Sequence, residues 1–202
     1  PVKSQARLFA DYSLEATVCS LNDVKVLASV AGRNKKPIKV HVKVETGMNR
    51  IGVKVQDLDG IIKAVGRERR LEVRGVFTHF ATSEEPDSPF ASRQLNEFER
   101  AMGVFRNQGV EPEFVHCANS GAILQIPTSY FSMVRPGILL YGYYPSRTMS
   151  HKVQVRPAMT VKTSVALVKE IHAGDSVSYA RRFVAQRRTR IATLPIGYAD
   201  GF

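Results

Sequence analysis

Acidic side chains are scarce in this sequence, with 18 Asp and Glu against 29 Lys and Arg, a formal net charge of +11 over 202 residues. Such an excess of cations points to anionic partners, nucleic acid among them. Its densest stretch holds Arg181, Arg182, Arg187, Arg188 and Arg190, with Arg67, Arg69, Arg70 and Lys35-Lys36 elsewhere. These groups fall at turns and strand edges, with no nucleic-acid-binding module or aromatic interleaving, so they read as solvated surface and no nucleic-acid partner is expected. Cysteine is nearly absent too. Cys19 and Cys117 both sit in apolar runs, which points to small buried thiols of a reducing compartment more than to a disulfide scaffold. No apolar run approaches the roughly 18 residues of a spanning helix, and Pro1-Val2-Lys3 has no signal-peptide character. A soluble, cytoplasmic protein without a membrane partner is expected. No set of Asp, Glu, His or Cys has a recognised ligand spacing, so no metal is expected.

What is present is a repeating alternation of two periods. Glu15 to Cys19 is a short β-type run, and Ser20 with Asp23 three residues on signals a helix start. Val24, Leu27, Ala28 and Ala31 then recur at helical spacing until Gly32-Arg33-Asn34. Pro37 to Val44 alternates as a strand, and Leu58, Ile61, Ile62 and Val65 form a second helical stripe closed by Gly66. Leu71 to Phe77 is the next strand, and Ser88 caps a helix carrying Leu95, Phe98, Met102 and Phe105, ended by Gly109. Phe114 to Cys117 is a strand followed by a short helix to about Ile126, and Phe131 to Val134 reads as a fifth strand.

Strands alternating with helices predict a parallel sheet with right-handed crossovers. Polar groups gather where strands end: Lys43 with Arg50, His79, His116 with Asn119-Ser120, and Arg135. That placement is the active-site rim of a (β/α)8 barrel, and five strands are too few to close one. The expected fold is therefore α/β, a partial (β/α)8, TIM-type barrel of roughly the last five βα units, with about 90 residues missing upstream. Pro145 to Pro157 reads as a linker. Beyond it Met159, Val161, Thr163, Val165 and Leu167 alternate, Gly174-Asp175 marks a turn, Val177 to Tyr179 is short and extended, and Arg190 to Pro195 alternates again. The expected domains are residues 1–150, the C-terminal part of the barrel, and 151–202, the beginning of a β domain. A chain that opens on Pro1 without Met and stops at Gly201-Phe202 is expected to be an internal piece of a longer protein.

By residue type alone the rim leaves alternatives open. Lys43 and Arg50 suit a carboxylate or phosphate, and equally an ion pair with Glu45. His79 and His116, each taken singly, read as satisfied structural histidines before catalysts. Asn119-Ser120-Gly121 at a helix start, with Gly137-Ile138 after another strand, fits a phosphate cradle as well as ordinary capping.

Six motifs in order narrow this: Lys43 to Gly52 (Lys-Val-Glu-Thr-Gly-Met-Asn-Arg-Ile-Gly), Thr78-His79-Phe80-Ala81, His116 to Ser120, Met133 to Ile138, Val177-Ser178-Tyr179 and Gly197 to Gly201. The series resembles that of bacterial alanine racemases, pyridoxal-phosphate enzymes built as a barrel followed by a β domain. The resemblance implies racemisation of L- and D-alanine by two-base exchange of the α-proton, which provides D-alanine for peptidoglycan. It implies that Arg135 faces the pyridine nitrogen of pyridoxal 5'-phosphate, where an obligate donor keeps that nitrogen unprotonated. Ser120, Gly137 and Ile138 would bind the phosphate, with Asn119 and His116 among the cofactor's neighbours. Tyr179, contributed by the partner in a homodimer, would be one base, aided by His79. Arg50 would hold the substrate carboxylate, Lys43, carbamylated in some members, would position Arg50, and Tyr198 would adjoin the substrate. The family's cofactor lysine, in a Lys-Ala-x-Ala-Tyr-Gly-type motif, has no counterpart here, so this chain alone is expected to be inactive. Glu45 stands where Asp is commoner, and Ala180 where Gly is commoner. A serine or broad-specificity racemase, or a non-catalytic cofactor-binding protein, are the competing expectations.

Overall fold

The computed structural model describes residues 3–31, 37–85, 87–149 and 153–201. The helix stop at Gly32-Arg33-Asn34, the Lys35-Lys36 pair, the domain boundary between 150 and 151 and the terminal Pro1, Val2 and Phe202 lie outside the described residues. The chain divides into two compact units, Pro1–Pro157 and Ala158–Phe202.

In the first unit, helix α1 (Ala6–Asp11) precedes β1 (Ala16–Val18), α2 (Leu21–Val30), β2 (Ile38–Glu45), β3 (Val53–Lys54), α3 (Leu58–Arg67), β4 (Leu71–Phe77), α4 (Pro89–Asn107), β5 (Phe114–His116) and α5 (Ser120–Gln125). All pairings are parallel, in the order β1-β2-β4-β5, with the two-residue β3 beside the end of β2. Local chemistry sets the helix starts. The Ser20 hydroxyl accepts from Asp23 N–H at 3.2 Å, and the Asp23 carboxylate accepts from Cys19 N–H at 2.9 Å. Ser88 caps α4 at Ala91 N–H, with Pro89 in the first turn, where its missing N–H costs nothing. Gly109, with φ +67°, ends the α4 segment.

One face of the sheet carries Val18, Val40, Val42 and Val44, fully buried, in one core with Leu27, Leu58, Ile61, Ile62, Val65, Phe98 and Phe105 from the helices. The period-2 and period-3.6 stripes of the sequence thus meet in a single apolar layer. The opposite face of β2 carries Lys39, His41, Lys43 and Glu45. This mixed α/β unit with its parallel sheet is part of a TIM-type barrel, followed by the start of a β domain.

Two expected strands are absent. Phe131 to Val134 forms no ladder: Phe131 takes a left-handed φ of +44°, and Val115 N–H donates to the Ser132 hydroxyl at 2.8 Å rather than to a strand carbonyl. Its backbone makes isolated bonds, Ser132 N–H to Val115 O and Arg135 N–H to Ala118 O, rather than a ladder with β5 and the loop beyond it. In the second unit, Met159 to Val165 alternates but is exposed and unpaired, because alternation alone provides no neighbouring edge. The strands observed there are β6 (Leu167–Ile171), antiparallel to β9 (Thr189–Thr193), and β7 (Ser176–Val177), antiparallel to β8 (Phe183–Val184). The extended run expected through Tyr179 stops at Val177, since Ser178, Ala180 and Arg181 all have positive φ. No helix of the described residues is long and apolar enough to cross a membrane.

Candidate active site

The carboxyl ends of β2, β4 and β5 place Lys43, His79 and His116 along one edge of the first unit, and the 133–138 segment adds Arg135. The Lys43 side chain is buried, and its ammonium donates to Val44 O at 2.7 Å. Burial lowers its pKa, and Arg135 and Arg50 push the same way against Glu45 and Cys19. Burial would raise the Glu45 carboxyl, but the backbone N–H groups of Asn49, Gly47 and Met48 and the Lys43 charge outweigh it and hold the pKa down. Glu45 braces its own loop, and neither Lys43 nor Arg50 pairs with a carboxylate among the described residues. Arg50 is exposed, with its guanidinium uncommitted to any described residue.

The Arg135 guanidinium is the hub of the edge. One nitrogen donates to Nδ1 of His116; the other donates to Thr78 O at 2.7 Å and lies 3.5 Å from His79 Nδ1 and 3.4 Å from Cys117 O. It also lies 5.3 Å from the centre of the Phe77 ring. Burial, then Arg135, Arg50 and Lys43, lowers the His79 pKa. His116 is pushed down to about 3 by burial first, then by Arg135 and His41. Both rings are therefore neutral near pH 7.

The depressed pKa of His116 has a stability consequence. The unfolded chain, with an ordinary histidine, takes up a proton as pH falls through about 6.5, whereas the folded chain does so only near pH 3. Folding stability should thus be full above the ordinary value and fall between about pH 6.5 and 3, by up to about 1.4 kcal/mol per pH unit for this group. Urea unfolding of wild type and His116→Phe across that window checks it: the slope should be shallower in the variant.

Next to Arg135 the two candidate cradle loops meet. Ser120 Oγ donates to Pro136 O and accepts from Leu139 N–H at 3.2 Å. Gly137 has φ +50°, and a Cβ there would stand 3.2 Å from Ser120 Oγ. The Asn119 carbonyl oxygen accepts from Ala122 N–H at 3.1 Å and from the Ser83 hydroxyl at 2.6 Å, so Asn119 organises the turn rather than lining it. Glycine backbone and guanidinium, with a serine hydroxyl that would have to turn from Pro136 O to donate and no acidic side chain among them, fit a phosphate ester beside an aromatic nitrogen.

Gln94 belongs to none of the six motifs yet joins the site. It lies on the apolar stripe of α4, 1% exposed. Its carbonyl accepts from Ala81 N–H at 2.9 Å, and its amide donates to His79 O at 3.1 Å and to Thr46 Oγ1 at 3.2 Å. Thr46 bonds Thr78 at 2.8 Å, and Thr78 donates to Val44 O at 2.9 Å. One buried amide thereby couples the loop carrying Arg50 to the one carrying His79. Its sequence signal is a lone polar residue between Ala91 and Phe98 on an otherwise apolar face.

Tyr179 and Tyr198 belong to the second unit, where both line a concave surface of about 650 Å³ with Ser178, Arg182, Phe183 and Arg190. Ala180 takes φ +57° and ψ 7°, a conformation that glycine adopts without strain.

Comparison with known proteins gives a consistent result. Residues 1–145 match the model of the alanine racemase N-terminal domain, and residues 158–202 that of the alanine racemase C-terminal domain. "Alanine racemase 2" of Caldanaerobacter subterraneus subsp. tengcongensis is 42% identical over 199 residues, covering 98% of this chain and 51% of the relative. The solved alanine racemase of Clostridium difficile 630 superposes with a TM-score of 0.88 at 32% identity, over 100% of this chain and 53% of the other. A histidine racemase from Leuconostoc mesenteroides subsp. sake does so with a TM-score of 0.82 at 30% identity, over 98% and 54%. The chain spans about half the length of the curated relatives it matches.

Proposed function

The chain belongs to the alanine racemase family, and from that premise we propose that its full-length protein interconverts L- and D-alanine with pyridoxal 5'-phosphate. The observation that carries this reading is the Arg135 guanidinium, anchored by Thr78 O and His116, two residues from Gly137 where the 133–138 segment packs closely on Ser120. When bound, the cofactor provides an electron sink that acidifies the proton on the substrate's α-carbon.

The chain's own residues do the rest. Ser120, Gly137 and Ile138 would hold the phosphate, Asn119 shapes that turn, and Arg135, with His116 behind it, would donate to the ring nitrogen. Because a guanidinium can only donate, such a contact would keep that nitrogen unprotonated. The exposed Arg50 takes the substrate carboxylate in a two-point contact, and buried Lys43 supports its loop. Tyr179 of a second copy exchanges the α-proton on one face, with neutral His79 adjoining the Arg135 end of the network, and Tyr198 borders the substrate. The base for the other face has no counterpart between Pro1 and Phe202, so the 202-residue chain assayed alone should show no racemisation. In this reading residues 1–150 are the cofactor-binding part of a barrel and 151–202 the beginning of the C-terminal domain. The protein works as a cytoplasmic homodimer and provides D-alanine for peptidoglycan.

The histidine racemase likeness favours one second reading, a different amino acid on the same scaffold. Steady-state rates of the full-length protein with L- and D-alanine, serine and histidine separate them. The highest kcat/KM should fall on alanine, with solvent deuterium entering its α-position; a preference for serine or histidine would overturn the substrate assignment.

A further inference from the structure

The half-buried Arg135 guanidinium has no described carboxylate within ion-pairing distance. A cation in that setting needs a counter-charge. The hydrogen bonds lead to one through two rings. Arg135 donates to His116 Nδ1, His116 Nε2 lies 3.0 Å from His41 Nδ1, and His41 Nε2 lies 2.6 Å from Glu15 Oε2.

The ends of this chain fix every proton in it. A guanidinium only donates, so His116 Nδ1 is bare and its proton sits on Nε2. That N–H points at His41 Nδ1, which is therefore bare as well, and His41 Nε2–H donates to the carboxylate, which only accepts. A proton added to either ring would set N–H against N–H at one of the joints. The depression of the His116 pKa agrees with this arrangement.

The rings are held in place. His116 stacks on Phe77 at 4.9 Å and 5°, His41 stacks on Phe114 at 6.1 Å and 12°, and the two imidazoles meet edge-on at 5.2 Å and 60°. Gly75, which pairs with His41 in the sheet, makes room for it: a Cβ at Gly75 would overlap the imidazole. The chain runs from the residue before β1 across β2 to the last residue of β5. Facing Glu15 besides His41 is Arg74, whose Nε is 4.0 Å away and which is itself paired with Glu113.

We infer that Glu15 is the remote counter-ion of Arg135 and a positioning residue for the site, acting through neutral Nε2–H tautomers of His41 and His116. It polarises both rings so that the guanidinium is held by its inner edge and presents its remaining N–H groups outward. The proton arrangement stands on the geometry; its effect at the cofactor rests on the proposed function.

The test uses the full-length holoenzyme with 15N-labelled histidine, in wild type, Glu15→Leu and Glu15→Gln. At about pH 7 wild type should show His41 and His116 neutral, each with the proton on Nε2. Glu15→Leu should give mixed tautomers at both rings and lower kcat about tenfold, the factor one lost bond to a charged group gives, with KM unchanged. Glu15→Gln, which keeps an acceptor oxygen, should restore the tautomers while recovering only part of kcat. A wild-type His116 protonated on Nδ1, or tautomers unmoved in Glu15→Leu, would overturn the relay. Tautomers that shift while kcat and the cofactor absorbance stay put would overturn the role at the site. Protein with no cofactor absorbance at all would instead sink the functional reading, leaving the NMR result to decide the relay.

Discussion

Tyr179→Phe in the full-length protein should lower racemisation by about 1,000-fold while leaving the cofactor's absorbance band in place, the range expected for loss of a general base. The substitution removes one oxygen and keeps the ring. The Tyr179 side chain is 88% exposed, and its hydroxyl bonds no described residue, so no fold-supporting contact is lost. The turn around it is set by the backbone of Ser178, Ala180 and Arg181, which the change does not touch. A free phenol ionises near pH 10, so it acts as a base at neutral pH only with help from neighbouring charge. The rates in both directions should fall together, since one proton position serves both. Unchanged rates in either direction would remove Tyr179 from the mechanism.

Arg135→Met should cost about 3 kcal/mol of folding stability and release the cofactor. Methionine fills comparable space but leaves Thr78 O, Cys117 O and His116 Nδ1 without the donor they share, and each unsatisfied buried acceptor costs roughly 1–3 kcal/mol before relaxation. Burial is the main cause of the low His116 pKa and Arg135 the second, so the variant's His116 should titrate above the value of about 3 yet below an ordinary histidine. Urea midpoints, cofactor retention on dialysis and a histidine titration by NMR measure the three effects. Full stability with cofactor retained would mean that Arg135 is not the hub of this edge.

Much of this arrangement is legible in the sequence because it is set by local rules. The alternation over Pro37 to Val44 and Leu71 to Phe77, the stripe Leu58-Ile61-Ile62-Val65 and the Ser20 and Ser88 caps all act within a few residues. Polar strand ends followed from the same reading. Where local pattern misled, a neighbour was missing or a backbone conformation intervened. Met159 to Val165 has strand alternation without a partner edge, and the positive φ of Phe131 and the Ser132 hydroxyl interrupt what reads as a strand.

By itself, then, the sequence determined the alternation of β and α elements, their caps, the order of the six motifs and the family these identify. Only the tertiary structure decided which polar groups act together. Gln94 reaches 48 residues back to Thr46. Glu15, His41, His116 and Arg135 join across separations of 26, 75 and 19 residues. Such contacts depend on parallel register, here shifted between Val40 and His41, and on the missing side chain of Gly75 one strand away. Periodicity carries no information about either, because it describes how a segment faces its own layer and not which residue stands opposite.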